Sequence, residues 1–212
     1  RPPYLAAIAV FGLVLAGYVL TLAPPVTFWD AGDLIASIHT LGIPHPPGTP
    51  LFVMLGHVWA VLFPVGEYAW RTNLMSATFS AMAAGFFFLV AHETLRRGSA
   101  DLAPGLRRLL ALGGGVAAGL MSAFTFTHWQ NSNETEVYSV ATFTIALVCW
   151  LCLRWRAARG TERSLRLILL IVYLAGISMG NHLLALLAGP AVVMFLAATV
   201  HGAPAASAVE RR

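Results

Sequence analysis

Long apolar runs separated by short polar segments set the pattern of this chain. Tyr4 to Leu22 carries no charge, and its roughly nineteen residues would make a helix of about 28 Å, enough to cross a bilayer core. Pro24-Pro25 ends it. Ala31 to Leu41 reads as a short helix with Asp30 as N-cap, Asp33 in the first turn and Gly42 closing it. Residues Ile43 to Gly48 must be extended or turned, because each proline disfavours helix in the residue before it. Leu51 to Phe63 is apolar but only about thirteen residues long, which predicts a re-entrant or surface helix rather than a span. Asn73–Ala91, Leu109–Thr127 and Val137–Leu153 are the next predicted spans. Polar residues His128 to Glu136 join the last two, and an arginine-rich loop runs from Arg154 to Arg166. Leu167 to Val200 is too long for one helix and breaks at Gly180-Asn181-His182, giving two more.

The composition agrees with an all-α integral membrane protein. The 212 residues are 58% hydrophobic and 10% charged, against roughly 25% charged in soluble domains. Every one of the thirteen basic residues is arginine, so their placement sets orientation. Arg96, Arg97, Arg107 and Arg108 flank one loop, and Arg154, Arg156, Arg159, Arg163 and Arg166 fill another. Placing both loops in the cytoplasm, together with Arg1 and Arg211-Arg212, requires six transmembrane helices. It also requires two membrane-surface helices in the first outer loop, Ala31–Leu41 and Leu51–Phe63. The opposite face then holds Asp30, Asp33, Glu67, Glu134 and Glu136 against a single arginine, Arg71. Nucleic-acid binding is excluded, since the basic residues form no exposed patch away from the membrane ends. Cys149 and Cys152, the two cysteines, have the spacing of a redox or zinc pair, but they sit in an apolar helix without a third ligand and read as packing residues.

Two acidic groups from distant parts of the chain therefore share the outer face. One is Asp30 with Asp33; the other is Glu134-Thr135-Glu136. His45, His128, Asn131, Tyr138, Asn181 and His182 lie at the same level. Carboxylates so placed can act as general base, hold a divalent cation (Mg or Mn) through Asp33, Glu134 and Glu136, or both. Plainer readings stand beside these: Asp30 as a helix cap, Asp33 as a dipole partner, Glu134 and Glu136 as solvated loop acids, His57 as a packed residue. Asn133-Glu134-Thr135 fits a glycan acceptor pattern too short to weigh. Asn181-His182 is harder to dismiss, because polar groups in an apolar run are costly unless satisfied or used.

The stretch Thr27-Phe-Trp-Asp-Ala-Gly-Asp-Leu-Ile-Ala, followed by Leu41-Gly-Ile-Pro-His-Pro-Pro-Gly-Thr-Pro-Leu, resembles the signature of a bacterial family of membrane proteins. That family is similar to the eukaryotic transmembrane protein O-mannosyltransferases of the GT-C glycosyltransferase superfamily. Asn133-Glu-Thr-Glu-Val-Tyr and Gly180-Asn-His-Leu-Leu resemble two later blocks, in the same order. The resemblance implies a GT-C-like N-terminal module over residues 1–212. It also implies a catalytic acid in the first outer loop, Asp30 or Asp33, and a partner, Glu134 or Glu136, after the third span. Relatives of this kind continue into further spans, so the chain is expected to be the N-terminal part of a longer enzyme or a shortened relative.

The expected activity is transfer of a sugar from a polyprenyl-phosphate donor to a hydroxyl of a protein or glycan acceptor. It would occur at the periplasmic face of a bacterial inner membrane, among membrane lipids. Arg71 is the first candidate for the leaving phosphate, since a guanidinium matches its oxygens, and His182 is the second. His45, Tyr138 and Asn181 complete the expected binding set. The alternative is a non-catalytic subunit of a larger membrane complex. A transporter is a third reading, disfavoured because ionisable residues cluster at the surface rather than at mid-membrane depth.

Overall fold

A computed structural model of the chain describes residues 1–201, all of them helical or connecting segments; the Arg211-Arg212 pair lies outside the described residues. The helices are α1 (Tyr4–Thr21), α2 (Ala31–Thr40), α3 (Pro50–Leu62), α4 (Tyr68–Gly98), α5 (Pro104–Phe124), α6 (Phe126–Ser132), α7 (Val137–Ala157), α8 (Glu162–Ser178) and α9 (Gly189–His201). A 3-10 turn over Leu183–Ala188 precedes α9.

Four segments are long and apolar enough to cross a membrane: α1, α4, α7 and the continuous Leu183–Val200. Helices α5 and α6 meet at a 67° bend and add a fifth if the pair is one span. The chain is thus an integral membrane protein of four to five such helices by length and apolarity. The α8 helix has 17 residues, and α3, at 13 residues, would reach only about 20 Å, well short of the hydrocarbon core.

At the centre is α4, 31 residues long, which overruns the expected Asn73–Ala91 at both ends. Its small residues Ala77, Ala81 and Ala84 let α1 approach through Val10, Val14 and Tyr18, with Phe88, Ala123 and Trp150 closing the core. Without a hydrophobic driving force between helices in lipid, such close van der Waals packing carries association. The α5 glycines take part: a Cβ at Gly119 would lie 3.0 Å from the Ala84 carbonyl oxygen, and one at Gly115 2.9 Å from the Phe88 ring. The Tyr18 hydroxyl donates to the Ala123 carbonyl at 2.8 Å, tying α1 to α5.

A second cluster fastens the two short helices to the bundle. Leu34 and Ile38 of α2 and Phe52 of α3 pack on Met75 of α4 and on Val137 and Val140 of α7. Gly56 is needed there, because a Cβ would meet the Ile38 side chain at 2.6 Å. His57 lies with Nδ1 2.9 Å from the Ile38 carbonyl, the packed role anticipated for it. Cys152 is buried with Val148, Leu151, Trp155 and α8, and both thiols are free.

Two boundaries depart from expectation for local reasons. The segment from His128 onward is partly helical, because α6 forms where the chain turns beyond Thr125. Residue Leu41, not Gly42, takes the left-handed conformation ending α2 (φ 53°), and Gly42 N–H donates to the Ser37 carbonyl at 2.9 Å. The break expected at Gly180-Asn181-His182 does fall there. Gly180 gives its carbonyl to the Leu51 amide at 2.7 Å, so the break docks on the start of α3.

Candidate active site

The first loop is shaped by backbone conformations that ordinary residues avoid. Trp29 has φ 64°, a left-handed value unusual for a large aromatic residue, and its side chain is 85% exposed. Asp30 follows at the N-cap position of α2, but its side chain makes no capping bond. The expected cap is therefore made by the backbone alone, the Asp30 carbonyl accepting from Leu34 N–H at 2.9 Å. That leaves the Asp30 carboxylate open to the cavity.

Asp33, one turn on, is engaged. The Pro-rich corner brings His45 back over α2, with a turn closed by Gly48 N–H to the His45 carbonyl at 3.0 Å. Gly48 has φ 88°, a conformation glycine adopts without strain. The His45 backbone amide donates to Asp33 Oδ2 at 2.9 Å, and His45 Nδ1 lies 2.8 Å from the same oxygen. His45 Nε2 is 3.7 Å from Asp30 Oδ2. Hydrogen bonds from the His45 amide and then its ring hold the Asp33 carboxyl below the usual range. The bond to Asp33 lifts His45 above its ordinary value, and the charges of Asp30, Asp33 and Glu136 add to the lift. The imidazole is thus half-exposed and set between two aspartates.

The second loop is stitched to the first by buried polar groups on α4. Thr135 donates to Asn73 Oδ1 at 2.6 Å and lies 2.8 Å from Thr72 Oγ1. Asn73 Nδ2 in turn donates to the Ala23 carbonyl at 2.8 Å, and Ala23 N–H donates to the Asn133 carbonyl at 3.2 Å. Glu136 N–H donates to Ser76 Oγ at 3.2 Å. Trp129 Nε1 reaches Thr21 Oγ1 at 3.0 Å, and that hydroxyl lies 3.1 Å from Asn133 Oδ1. The Thr135 hydroxyl and the Glu136 amide are thereby turned on to α4, and the two carboxylates lie elsewhere.

They point into a cavity of about 250 Å³ lined by Trp29, Asp30, Gln130, Asn131, Glu134, Glu136 and Tyr138. Asp30, Glu134 and Glu136, Asn131 and Tyr138 are thus brought together as expected. Burial, then the neighbouring charges of Glu134 and Asp30, push Glu136 up to about 7. Its carboxyl is therefore divided between acid and carboxylate near neutral pH. Tyr138 stands edge-on to His182, ring centroids 5.4 Å apart. His182 Nδ1 accepts from Leu184 N–H at 3.0 Å, so in the neutral ring Nε2 carries the proton. Asn181 is 1% exposed and donates to the Val137 carbonyl at 3.1 Å, while its Oδ1 has no partner among the described residues. It braces the start of α7 rather than lining the cavity.

Arg71 does not join the group by any contact. Its Nε and Nη2 both donate to the Gly66 carbonyl, at 3.0 and 2.8 Å. Among the described residues no group of three or more His, Cys, Asp or Glu side chains is placed to hold a metal ion. Asp33 is turned on to His45 instead. Gln130, Thr72, Asn73, Ser76 and Thr135 were not singled out from the sequence. For the α4 residues the signal was the spacing of Thr72, Asn73 and Ser76, which puts them on one side of the helix.

Comparison with known proteins bears on the same residues. The model of the family described as "Protein O-mannosyl-transferase TMEM260 N-terminal domain" matches residues 30–203, beginning at Asp30 and extending past His182. The mouse protein O-mannosyl-transferase TMEM260 is 34% identical over 176 residues, covering 83% of this chain and 23% of its own. Its Dictyostelium discoideum counterpart is 28% identical over 153 residues, covering 69% of this chain and 16% of its own. The chain therefore spans less than a quarter of the length of either relative. No solved structure matches it significantly. With a family match over most of its length, this chain belongs to the protein O-mannosyl-transferase TMEM260 N-terminal domain family.

Proposed function

We propose that this chain forms the catalytic N-terminal module of a membrane glycosyltransferase of GT-C type. It moves a sugar, mannose by analogy with the names of its relatives, from a polyprenyl-phosphate donor to a protein hydroxyl. The observation that carries this reading is the convergence of Asp30 with Glu134 and Glu136 in one cavity at the ends of α4 and α7 remote from Arg96, Arg97, Arg154 and Arg156. In this arrangement α8 is a sixth span, α2 and α3 lie at the membrane surface, and the acids face outward, toward the periplasm in a bacterial cell.

Asp30 is the base. Its carboxylate takes the proton of the acceptor hydroxyl as the oxygen forms a bond to the anomeric carbon. The bond from that carbon to the phosphate oxygen breaks, with inversion, and the lipid phosphate leaves carrying its electron pair. His45, held in place by Asp33, faces the leaving charge; Arg71 is the second candidate, once released from Gly66. Tyr138 and His182 form one wall of the sugar site, with Nε2–H of His182 as a donor. Exposed Phe28, Trp29, Ile43 and Phe126 surround this end and suit the headgroup layer, where aromatic side chains concentrate.

The test is transfer of labelled mannose from polyprenyl-phosphate mannose to a Ser/Thr peptide by the full-length protein in proteoliposomes. Asp30→Asn is expected to lower it by roughly 10²-fold or more. If Asp30→Asn and Asp33→Asn combined leave turnover intact, the proposed base is wrong. A second reading, a non-catalytic subunit of a larger complex, is favoured by one observation: the cavity is smaller than the roughly 300 Å³ at which ligand pockets begin. Absence of transfer by the wild-type protein, with no sugar lipid bound, would favour it.

A further inference from the structure

The opposite end of the bundle carries a second cavity, of about 470 Å³, lined by Val90, Arg97, Cys149, Leu153, Arg156 and Phe195 among others, between α4, α7 and α9. Its walls are apolar and its charged members are two arginines. Neither guanidinium is used up. Arg97 gives its Nε to Glu93 Oε1 at 2.5 Å, while the same carboxylate takes two bonds from Arg96, each at 2.9 Å. The Arg156 guanidinium lies 5.1 Å from the centre of the Phe195 ring, and its Nε is buried without a hydrogen-bond partner among the described residues. An unpaired buried guanidinium N–H is costly, and a ligand oxygen would satisfy it.

The surrounding charge is one-sided. Arg154 lies over Trp150, and Arg159 lies over Trp155 and donates to the Thr199 carbonyl. At this end of α4 and α7 Glu93 is therefore outnumbered by arginines, of which Arg97 and Arg156 line the cavity itself. A chamber with an apolar body, a doubly basic mouth and a position at one membrane end fits one kind of molecule: a lipid with an anionic phosphate head and an acyl chain.

We infer that the cavity between α4, α7 and α9 is a binding site for an anionic membrane phospholipid, its phosphate held by Arg97 and Arg156 and its acyl chain lying along Leu153 and Phe195. The site is separate from the sugar-transfer cavity, at the far end of the same α4 and α7 helices, and does not depend on that reading. The guanidiniums match phosphate oxygens in pairs, and the lipid tail would cover α9, none of whose span window is buried within the protein.

The experiment is native mass spectrometry of the full-length protein in detergent, titrated with phosphatidylglycerol or with phosphatidylcholine of the same acyl chains. The anionic lipid is expected to be retained roughly tenfold or more over the zwitterionic one. The Arg97→Gln, Arg156→Gln double variant should bring both lipids to one level, while Arg108→Gln, exposed on the same end but outside the cavity, should change nothing. Val192→Trp, which keeps both arginines but fills the apolar part, should lose both lipids; its melting temperature shows that it folds. Equal retention of the two lipids, an equal loss with Arg108→Gln, undiminished binding by Val192→Trp, or no lipid because a later part of the chain occupies the cavity would each overturn the inference.

Discussion

The hydroxyl of Thr135 donates to the side-chain carbonyl of Asn73 at 2.6 Å, across 62 positions of sequence, and both residues are fully buried. That bond joins the third connection of the chain to its central helix. Through Asn73 Nδ2 it reaches the segment leading to Asp30. This amide holds both acidic loops, beside the direct Ala23–Asn133 and Thr21–Asn133 bonds between them.

Asn73→Ala is therefore expected to cost about 1–3 kcal/mol, the range for leaving buried polar partners unsatisfied, with the Ala23 carbonyl losing its Asn73 donor and Thr135 left with Thr72. Turnover should fall further than stability, since the loops separate. A thermal melt in detergent and the transfer assay, run on the same preparation, check the two effects.

Asp30 and Asp33 are expected to separate in kinetics. Asp30→Asn should lower turnover by roughly 10²-fold or more, the typical contribution of general-base catalysis. Asp33→Asn should act mainly on donor KM, by releasing His45, and His45→Gln should resemble it. Arg71→Gln should leave KM within a few-fold if its guanidinium stays on Gly66; a larger rise would make Arg71 the phosphate ligand in place of His45.

The pH dependence has a definite sign. The fold raises the Glu136 pKa from 4.5 to about 7, so the folded chain holds this proton more tightly than the unfolded chain. Stability from that source is full below about 4.5 and is lost as pH rises through about 7. Glu136→Gln should flatten the melting-temperature profile over that interval. The Asp33–His45 pair runs differently. Its Asp33 part is present above 3.8 and lost as pH falls through the lowered value; its His45 part is present below 6.5 and lost as pH rises through the raised one. Both groups are half-exposed, so the pair's effect should be small and visible as a His45 ring titration in NMR rather than in a melt.

Two glycines of α5 should behave oppositely. A Cβ at Gly119 would lie 2.9 Å from Val10 Cγ1 and 3.0 Å from a backbone oxygen that cannot swing away, whereas one at Gly113 meets nothing within 4 Å. Gly119→Ala should destabilise by about 1–3 kcal/mol, and Gly113→Ala should be neutral or gain up to about 1 kcal/mol. Melts of the two variants, side by side, decide it.

Much of the fold was legible in the chain because hydrocarbon thickness sets a length rule: α1, the short α3 and the break at Gly180 all follow from counting apolar residues. That the acids of both loops share the end of the bundle away from the arginine-rich loops was legible from arginine placement, and Asp30, Glu134 and Glu136 line one cavity there. What length could not supply was the joinery. Asn73 reads as the edge of a span, yet it lies inside α4 and is buried, because its polarity is met by Thr135 and Ala23. Asp30 reads as a cap, yet the backbone caps α2 unaided. His45 lies twelve residues from Asp33, and only the folded Pro-rich corner reveals that they touch.

The bare outer surface of α9 also sets an order of disassembly. Ala77, Ala81 and Ala84 are buried among neighbouring helices, while α9 is held on one side only, through Val192, Phe195 and Leu196, with none of its span window buried. Harsh extraction should peel that end first and leave the acid-bearing half of the molecule standing. A mild protease treatment of the solubilised protein would then release a carboxy-terminal piece long before the first loop is cut.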